Sequence, residues 1–212
     1  MTSQKKAKIT VVTALTGKRD KLWIPEKQEE VDYVCFSDEP FTDAVWEYRK
    51  ACDKFDTYLN AKIHKILIHK YIKTEYSVWI DASVEINKNI VRVLESVLKD
   101  KDIAVYNHSS WNRPEPVGTI EDEIRACIEL KKDHADRIME QYKEHTYPKK
   151  IPPVCTIIFR RHTKKMERLN EKWWSEICRY SVRDQLSFPY VFKDYHEIGG
   201  MIKEDFNIKP HL

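Results

Sequence analysis

Residues 60–86 read NAKIHKILIHKYIKTEYSVWIDASVEI. The first half spaces Ile63, Ile66, Leu67 and Tyr71 at helical intervals, so an amphipathic helix over residues 58–73 is predicted. Lys62, Lys65 and His69 fall on another face, three and four residues apart. They form either a positive array aimed at an anion or a solvated basic face, and His69 alone also fits a surface or packed histidine. The second half holds a short apolar run, YSVWI at 76–80, that reads as a buried strand and exits on Asp81. Ligands of open α/β sheets bind at the carboxyl ends of the strands, which makes Asp81 the residue around which a site would be organised. Asp81-Ala82-Ser83 has the spacing of a DxD metal motif with Ser83 in place of the second acid. Mn²⁺ or Mg²⁺ takes hard oxygen ligands and shares its shell with substrate phosphates and water, so Asp81, Ser83 and a diphosphate could hold one. The alternative is that Asp81 forms a turn or caps a helix.

On the N-terminal side, KITVVTAL at 8–15 is a β-branched first strand, followed by a polar loop at the ligand edge. Lys18 and Arg19 of that loop fit an anion contact or a solvated charged turn equally well. DYVCFS at 32–37 is a second strand, and residues 46–49 a short third. On the C-terminal side, helices are expected over 87–98, over 119–143 with one break, and over 163–180. Strands are expected over 102–106 and 154–160. The loop after 106 offers His108, Trp111 and Arg113, a flat aromatic face with planar hydrogen-bonding groups that suits a sugar, or a surface loop whose Trp packs back on the domain. Glu121 and Glu123 in the first turn of the 119–143 helix favour its dipole or face a site. Arg160, Arg161 and His162 end the 154–160 strand, and Arg183, Asp184 and Gln185 open a last helix. An acid there is a cap, a base or an acceptor of sugar hydroxyls. The tail after Lys193 reads as irregular, and His196 within it as an ordinary tail residue or an extra metal ligand.

Composition narrows the classes. A chain of 212 residues with 42% hydrophobic and 33% charged residues builds one domain with a sizeable core. A net charge of +3 is too weak a bias for nucleic acid and compatible with anionic small molecules. The only glycines are Gly17, Gly118, Gly199 and Gly200, so neither GxGxxG nor a Walker A loop is present. A bound phosphate must then be held by side chains, helix N-termini or a metal. Five scattered cysteines without CxxC argue against a disulfide framework or structural zinc and for a reducing compartment. The N-terminal residues lack the apolar core of a signal peptide, and no apolar run approaches membrane-spanning length. A cytoplasmic location is expected, and peripheral membrane contact is compatible with it.

VVTALTGKRD, VDYVCFSDEP, the Lys-rich helix running into YSVWIDASVEI, the His108 loop, IIFRRH and WWSEICRYSVRDQLSFPYV occur in that order. This series resembles a glycosyltransferase-like family, its domain long labelled as of unknown function, found in bacterial polysaccharide-associated and plant Golgi proteins. The resemblance spans residues 9–192, with WID and RDQLSF its most specific segments. It implies an α/β, GT-A-like fold with a mixed, mostly parallel central sheet flanked by helices. It also implies a donor half at 1–86, an acceptor half at 87–192 and a tail at 193–212. By the same resemblance Asp81 stands at the metal and diphosphate position, and Lys62, Lys65 and His69 line the nucleotide side. His108 and Arg113 match the family's His-then-Arg loop, Arg161 and His162 its basic strand exit, and Arg183, Asp184 and Gln185 the acceptor-side helix start. The departure is Ser83, which weakens metal dependence more than donor binding.

The function so implied is transfer of a sugar from a nucleotide-sugar donor to a glycan or other hydroxyl acceptor, in polysaccharide or surface-glycan synthesis. The cation at Asp81 with Lys62, Lys65 or Arg161 would stabilise the leaving diphosphate, and Asp184 would be base or acceptor orienter. The alternative is a nucleotide-sugar- or carbohydrate-binding protein without turnover on the same fold, which Ser83 and the short chain also suit.

Overall fold

The computed structural model describes residues 8–17, 20–110, 118–198 and 206–208. In chain order the strands are β1 (Ile9–Leu15), β2 (Val31–Ser37), β3 (Glu47–Lys50), β4 (Tyr76–Ile80), β5 (Val84–Ile86), β6 (Ile103–Asn107), β7 (Pro153–Arg161), β8 (His196–Ile198) and β9 (Phe206–Ile208). The helices are α1 (Thr57–Ile66), α2 (Ile68–Tyr71), α3 (Ile90–Leu98), α4 (Ile120–Glu129), α5 (Ala135–Glu144), α6 (Lys164–Arg179) and α7 (Asp184–Val191). Seven strands form one sheet in the order β3-β2-β1-β4-β7-β6-β8. β1 pairs in parallel with β2 and β4, β2 with β3, and β6 with β8, whereas β7 runs antiparallel to both β4 and β6. The sheet is therefore mixed and mostly parallel, with helices on both faces, as the family resemblance implies.

Side chains alternate across the strands, so each strand feeds two cores. Val11, Cys35, Val78 and Ile80 face one side and pack with Ile90, Val93, Leu94 and Val97 of α3. Val12, Val34, Phe36 and Trp79 face the other and pack with Ile66, Trp173 and Phe188 from α1, α6 and α7. Nearly continuous burial of β1, β2 and β4 is what a sheet covered on both sides requires.

Three sequence expectations are corrected here. The single helix over 58–73 is two: α1 ends at Ile66, Leu67 takes φ −88° and ψ 33°, and α2 follows. Ile66, Leu67 and Ile68 are all buried. In a straight helix three consecutive residues fan across about 200°, so one of them would face outward; the break keeps all three inside. The second is the place of Arg161 and His162, expected at the Asp81 site, and it follows from the direction of β7. Its register pairs Tyr76 with Arg161 and Ile80 with Ile157, so the strand's end lies at the sheet edge opposite Asp81 and its start lies beside Asp81. The third concerns the tail: β8 extends the main sheet beside β6, and β9 pairs with β5. Among the described residues, no helix is long and apolar enough to cross a membrane.

Candidate functional site

β1 and β4 lie side by side in parallel, so Leu15 and Asp81 emerge at one edge of the sheet. The amide of Asp81 donates to the Thr156 carbonyl at 2.9 Å, which brings the start of β7 to the same edge. α1 packs on this end from one side, capped by Asp56, whose carboxylate accepts from Leu59 N at 2.9 Å. The N-terminus of α7 closes it from the other. The result is a cleft of about 650 Å³, lined by residues that include Leu15, Thr57, Tyr58, Lys62, Lys65, Trp79, Asp81, Cys155, Arg183, Asp184 and Gln185.

A charged cluster forms its floor. The Lys65 ammonium lies 2.7 Å from Asp184 Oδ2 and 3.3 Å from Asp81 Oδ1. Lys62 reaches the same Asp184 oxygen at 3.0 Å. The Trp79 indole N–H donates to Asp81 Oδ1 at 2.8 Å. Lys65 and Asp184 are buried, with 4% and 3% of their surfaces exposed, so their charges must be satisfied within the cluster. Burial alone would neutralise Asp184, but Lys62, Lys65 and Arg183 overcome it and hold the carboxyl well below the usual range. Burial also opposes the Lys65 charge, yet Asp184 and then Asp81 hold its ammonium above the ordinary value. Lys62 is pulled down by burial, which Asp184 offsets only in part. Burial keeps the neighbouring Cys155 thiol protonated.

Behind Asp184 lies a second buried layer. Arg183 reaches Glu123 Oε1 at 3.2 Å, and Glu123 Oε2 faces His108 Nε2 at 3.5 Å. The Cys127 thiol donates to Glu123 Oε1 at 3.3 Å. Gln185, with its amide in the orientation that satisfies both atoms, donates to Asp184 Oδ1 at 2.6 Å and accepts from Arg183 at 3.3 Å. Glu123 stands in the first turn of α4, as expected for the helix dipole, and is buried away from the open cleft, where it compensates Arg183. His108 belongs to this buried layer and not to an open sugar-binding loop.

The structure brings Lys62, Lys65, Asp81, Arg183, Asp184 and Gln185 into one cleft. Other expected positions lie elsewhere. His69 turns to α6, 3.4 Å from Glu171 and 3.3 Å from Asn170, because the break after Ile66 changes the direction of the face it shared with Lys62 and Lys65. Arg161 lies 3.7 Å from Asp102 and over the Tyr76 ring, and His162 lies 2.8 Å from Ser77 Oγ. Both stand at the opposite sheet edge because β7 is antiparallel. His196 pairs with Ala104 near the start of β6, again away from Asp81. Ser83 is buried outside the cleft lining: Val84 N donates to the Asp81 carbonyl at 2.9 Å, and this tight turn carries Ser83 inward. Lys18, Arg19, Trp111 and Arg113 lie outside the described residues. Sequence reasoning missed Trp79 as the partner of Asp81, although a spacing of two on a strand puts both on one face. It also missed Tyr58 and Lys132, for which no motif existed.

The fit of a divalent cation can be judged from these donors. Among the described residues, no three His, Cys, Asp or Glu side chains converge as a metal set. Asp81 Oδ1 is taken by Trp79 and Lys65, and the Lys65 ammonium stands between Asp81 and Asp184, so the two carboxylates do not converge on a shared ion. One carboxylate flanked by ammonium groups does not fit a protein-held Mn²⁺ or Mg²⁺.

Comparison with known proteins agrees with this architecture. The chain is 26% identical over 167 residues to the alkaline ceramidase TOD1 of Arabidopsis thaliana, covering 69% of this chain and 35% of that protein. It is 27% identical over 146 residues to the probable hexosyltransferase MUCI70 of Arabidopsis thaliana, covering 62% of this chain and 24% of that protein. The chain thus spans about a third or less of the curated relatives it matches. Among solved structures, the apo form of the bifunctional glycosyltransferase WbbM superposes with a TM-score of 0.58 at 10% identity, over 93% of this chain and 40% of that one. At that identity the likeness is one of fold, and the fold is that of GT-A glycosyltransferases. Residues 52–208 match the model of the TOD1/MUCI70, glycosyltransferase-like domain, and the chain belongs to that family.

Proposed function

We propose that the cleft binds a nucleotide-sugar donor and transfers its sugar to a hydroxyl of a glycan or another acceptor. The observation that carries this reading is the Lys62–Asp184–Lys65–Asp81 cluster, with Lys65 and Asp184 buried, at the carboxyl edge of β1 and β4. It supplies fixed positive charge where a leaving diphosphate would develop negative charge, and preorganised charge in a shielded site is often the largest catalytic contribution. In the transfer, the bond from the sugar C1 to the phosphate oxygen breaks with its electron pair on that oxygen. C1 then bonds to the acceptor oxygen, and the acceptor proton passes to the departing diphosphate. Asp184 is a poor recipient for that proton, since two ammonium groups hold it far below the ordinary carboxylate range. Of the two roles open to it, orienting the lysines and a sugar hydroxyl suits its surroundings better than general base catalysis. A role in polysaccharide or surface-glycan synthesis is consistent with the hexosyltransferase name of one relative.

The test is release of nucleoside diphosphate from a panel of sugar nucleotides, with and without glycan acceptors. Release from at least one donor, diminished in Lys65→Met, is expected. Binding of a sugar nucleotide without release would leave a binding protein on the same fold. The name of the other relative brings in amide hydrolysis, so ceramide is assayed alongside. Release of fatty acid from ceramide with no response to any sugar nucleotide would replace the transferase reading.

A further inference from the structure

We infer that the donor's diphosphate is held by the Lys62 and Lys65 ammonium groups and not by a divalent cation. This inference rests on the proposed nucleotide-sugar chemistry and concerns how that ligand is bound. Three observations carry it. The turn after Asp81 buries Ser83 outside the cleft, so the DxD-like spacing delivers one cleft ligand and no second. Lys65 occupies the space between the two carboxylates, 3.3 Å from one and 2.7 Å from the other, so they cannot hold a cation in common. Lys65 is also fixed there. Arg160, fully buried, donates to the Lys65 backbone carbonyl at 2.7 Å, and swinging the ammonium away would strip buried Asp184 of its nearer partner.

A pair of ammonium groups therefore already stands in the cluster, offset in number by its two carboxylates. Asp81 and Asp184 act as its internal counter-ions and aim it. Lys132 and Asp20 line the same cleft, so three lysines match three carboxylates in number and the ammonium groups act through their position, not through a net surplus of charge. A diphosphate has enough oxygens to accept from the ammonium groups that face it while Asp184 keeps its contacts, because each ammonium offers three donors.

The experiment is calorimetric titration of UDP, GDP and ADP, and of their common sugar conjugates, into the whole chain, in EDTA and in Mn²⁺. The expected result is binding of at least one nucleotide in EDTA, with an affinity within about threefold of that in Mn²⁺. Lys62→Met and Lys65→Met are each expected to weaken it by about tenfold or more, the scale of one charge-assisted hydrogen bond. The EDTA comparison on the wild type needs no variant, and Lys62, on the outer side of the cluster, is the substitution that least disturbs the core. Binding that disappears in EDTA and returns with Mn²⁺ overturns the inference and leaves sugar transfer standing. Metal-insensitive binding that both lysine variants retain also overturns it, since the anchor is then elsewhere. If no nucleotide or sugar nucleotide binds under either condition, the nucleotide-sugar reading itself fails.

Discussion

Asp184 is a charge kept in the protein interior by its neighbours, and its behaviour on substitution follows from that. Asp184→Asn would leave Lys65 with Asp81 alone and Lys62 with no carboxylate at hydrogen-bond distance. Breaking a buried ion pair by removing one partner costs about 3–5 kcal/mol, and a loss in that range is expected in chemical denaturation. Lys65→Met combined with Asp184→Leu should cost less than the sum of the single changes, because the two charges leave together. Acid sensitivity has a definite sign. The folded carboxyl is held below its unfolded value of about 3.9, so its contribution is complete above about pH 5 and is lost as the pH falls. Stability of the wild type should therefore decline more steeply below pH 5 than that of Asp184→Asn. His64 acts over a higher window. It is buried, stacked on Phe36 with ring centres 3.8 Å apart, and its Nε2 accepts from Cys52 N at 2.9 Å. Burial lowers it from 6.5 to about 4, so between those values the unfolded chain takes up a proton that the fold does not. Stability should fall by up to about 1.4 kcal/mol per pH unit as the pH drops through that window. His64→Phe should remove this slope in denaturation curves recorded across it. At this scale, the spacing of Lys62 and Lys65 was legible and their burial was not: a lysine run on a helix is ordinarily solvated. Only the arrival of Asp184 from a distant segment gives the two ammonium groups a reason to be inside.

α1 shows what a single element controls. One face of it carries Thr57, Tyr58, Ala61, Lys62 and Lys65 along the cleft, and its first turn is held by Asp56. Asp56→Ala should cost about 1 kcal/mol and fray the turn that carries Thr57 and Tyr58. Nucleoside diphosphate affinity should then fall with stability, whereas Asp56→Asn, still a good cap, should restore both; titration and thermal unfolding of the same two variants check this. The loop facing that turn is equally constrained. Gly17 has φ +71°, and a Cβ there would lie 3.1 Å from Thr57 Cγ2. Gly17→Ala therefore combines a left-handed backbone with a close contact, at a cost of about 1–3 kcal/mol measurable by denaturation. Apolar periodicity made α1 and the strands visible in the sequence. It did not show the break at Leu67, because the criterion is three adjacent buried residues and burial comes from tertiary packing. His69 was misplaced for that reason alone.

Across the whole molecule, strand order and direction are what local pattern cannot supply. VCTIIFR reads as a strand in either direction, and reversing it moves Arg161 and His162 from the ligand edge to the far edge. The tail is the other long-range feature. Residues 206–208 lack the alternation of a confident strand, yet they pair with β5, which begins three residues after Asp81. Phe206 is fully buried there, 6.5 Å from Tyr106 and 6.2 Å from Phe159 between ring centres. Phe206→Ala would open a cavity between the ribbon and the central sheet, and large-to-small changes of this kind cost about 3–5 kcal/mol. Because β5 is the direct continuation of the Asp81 turn, loosening the ribbon should reach the cleft as well. We expect a stability loss of that size in chemical denaturation, with nucleoside diphosphate affinity reduced but measurable, since none of the cleft's charged groups is removed. Unchanged stability would mean that residues 206–208 do not contribute to the core. Unchanged affinity alongside lost stability would mean that the Asp81 turn is held by β4 and β7 alone.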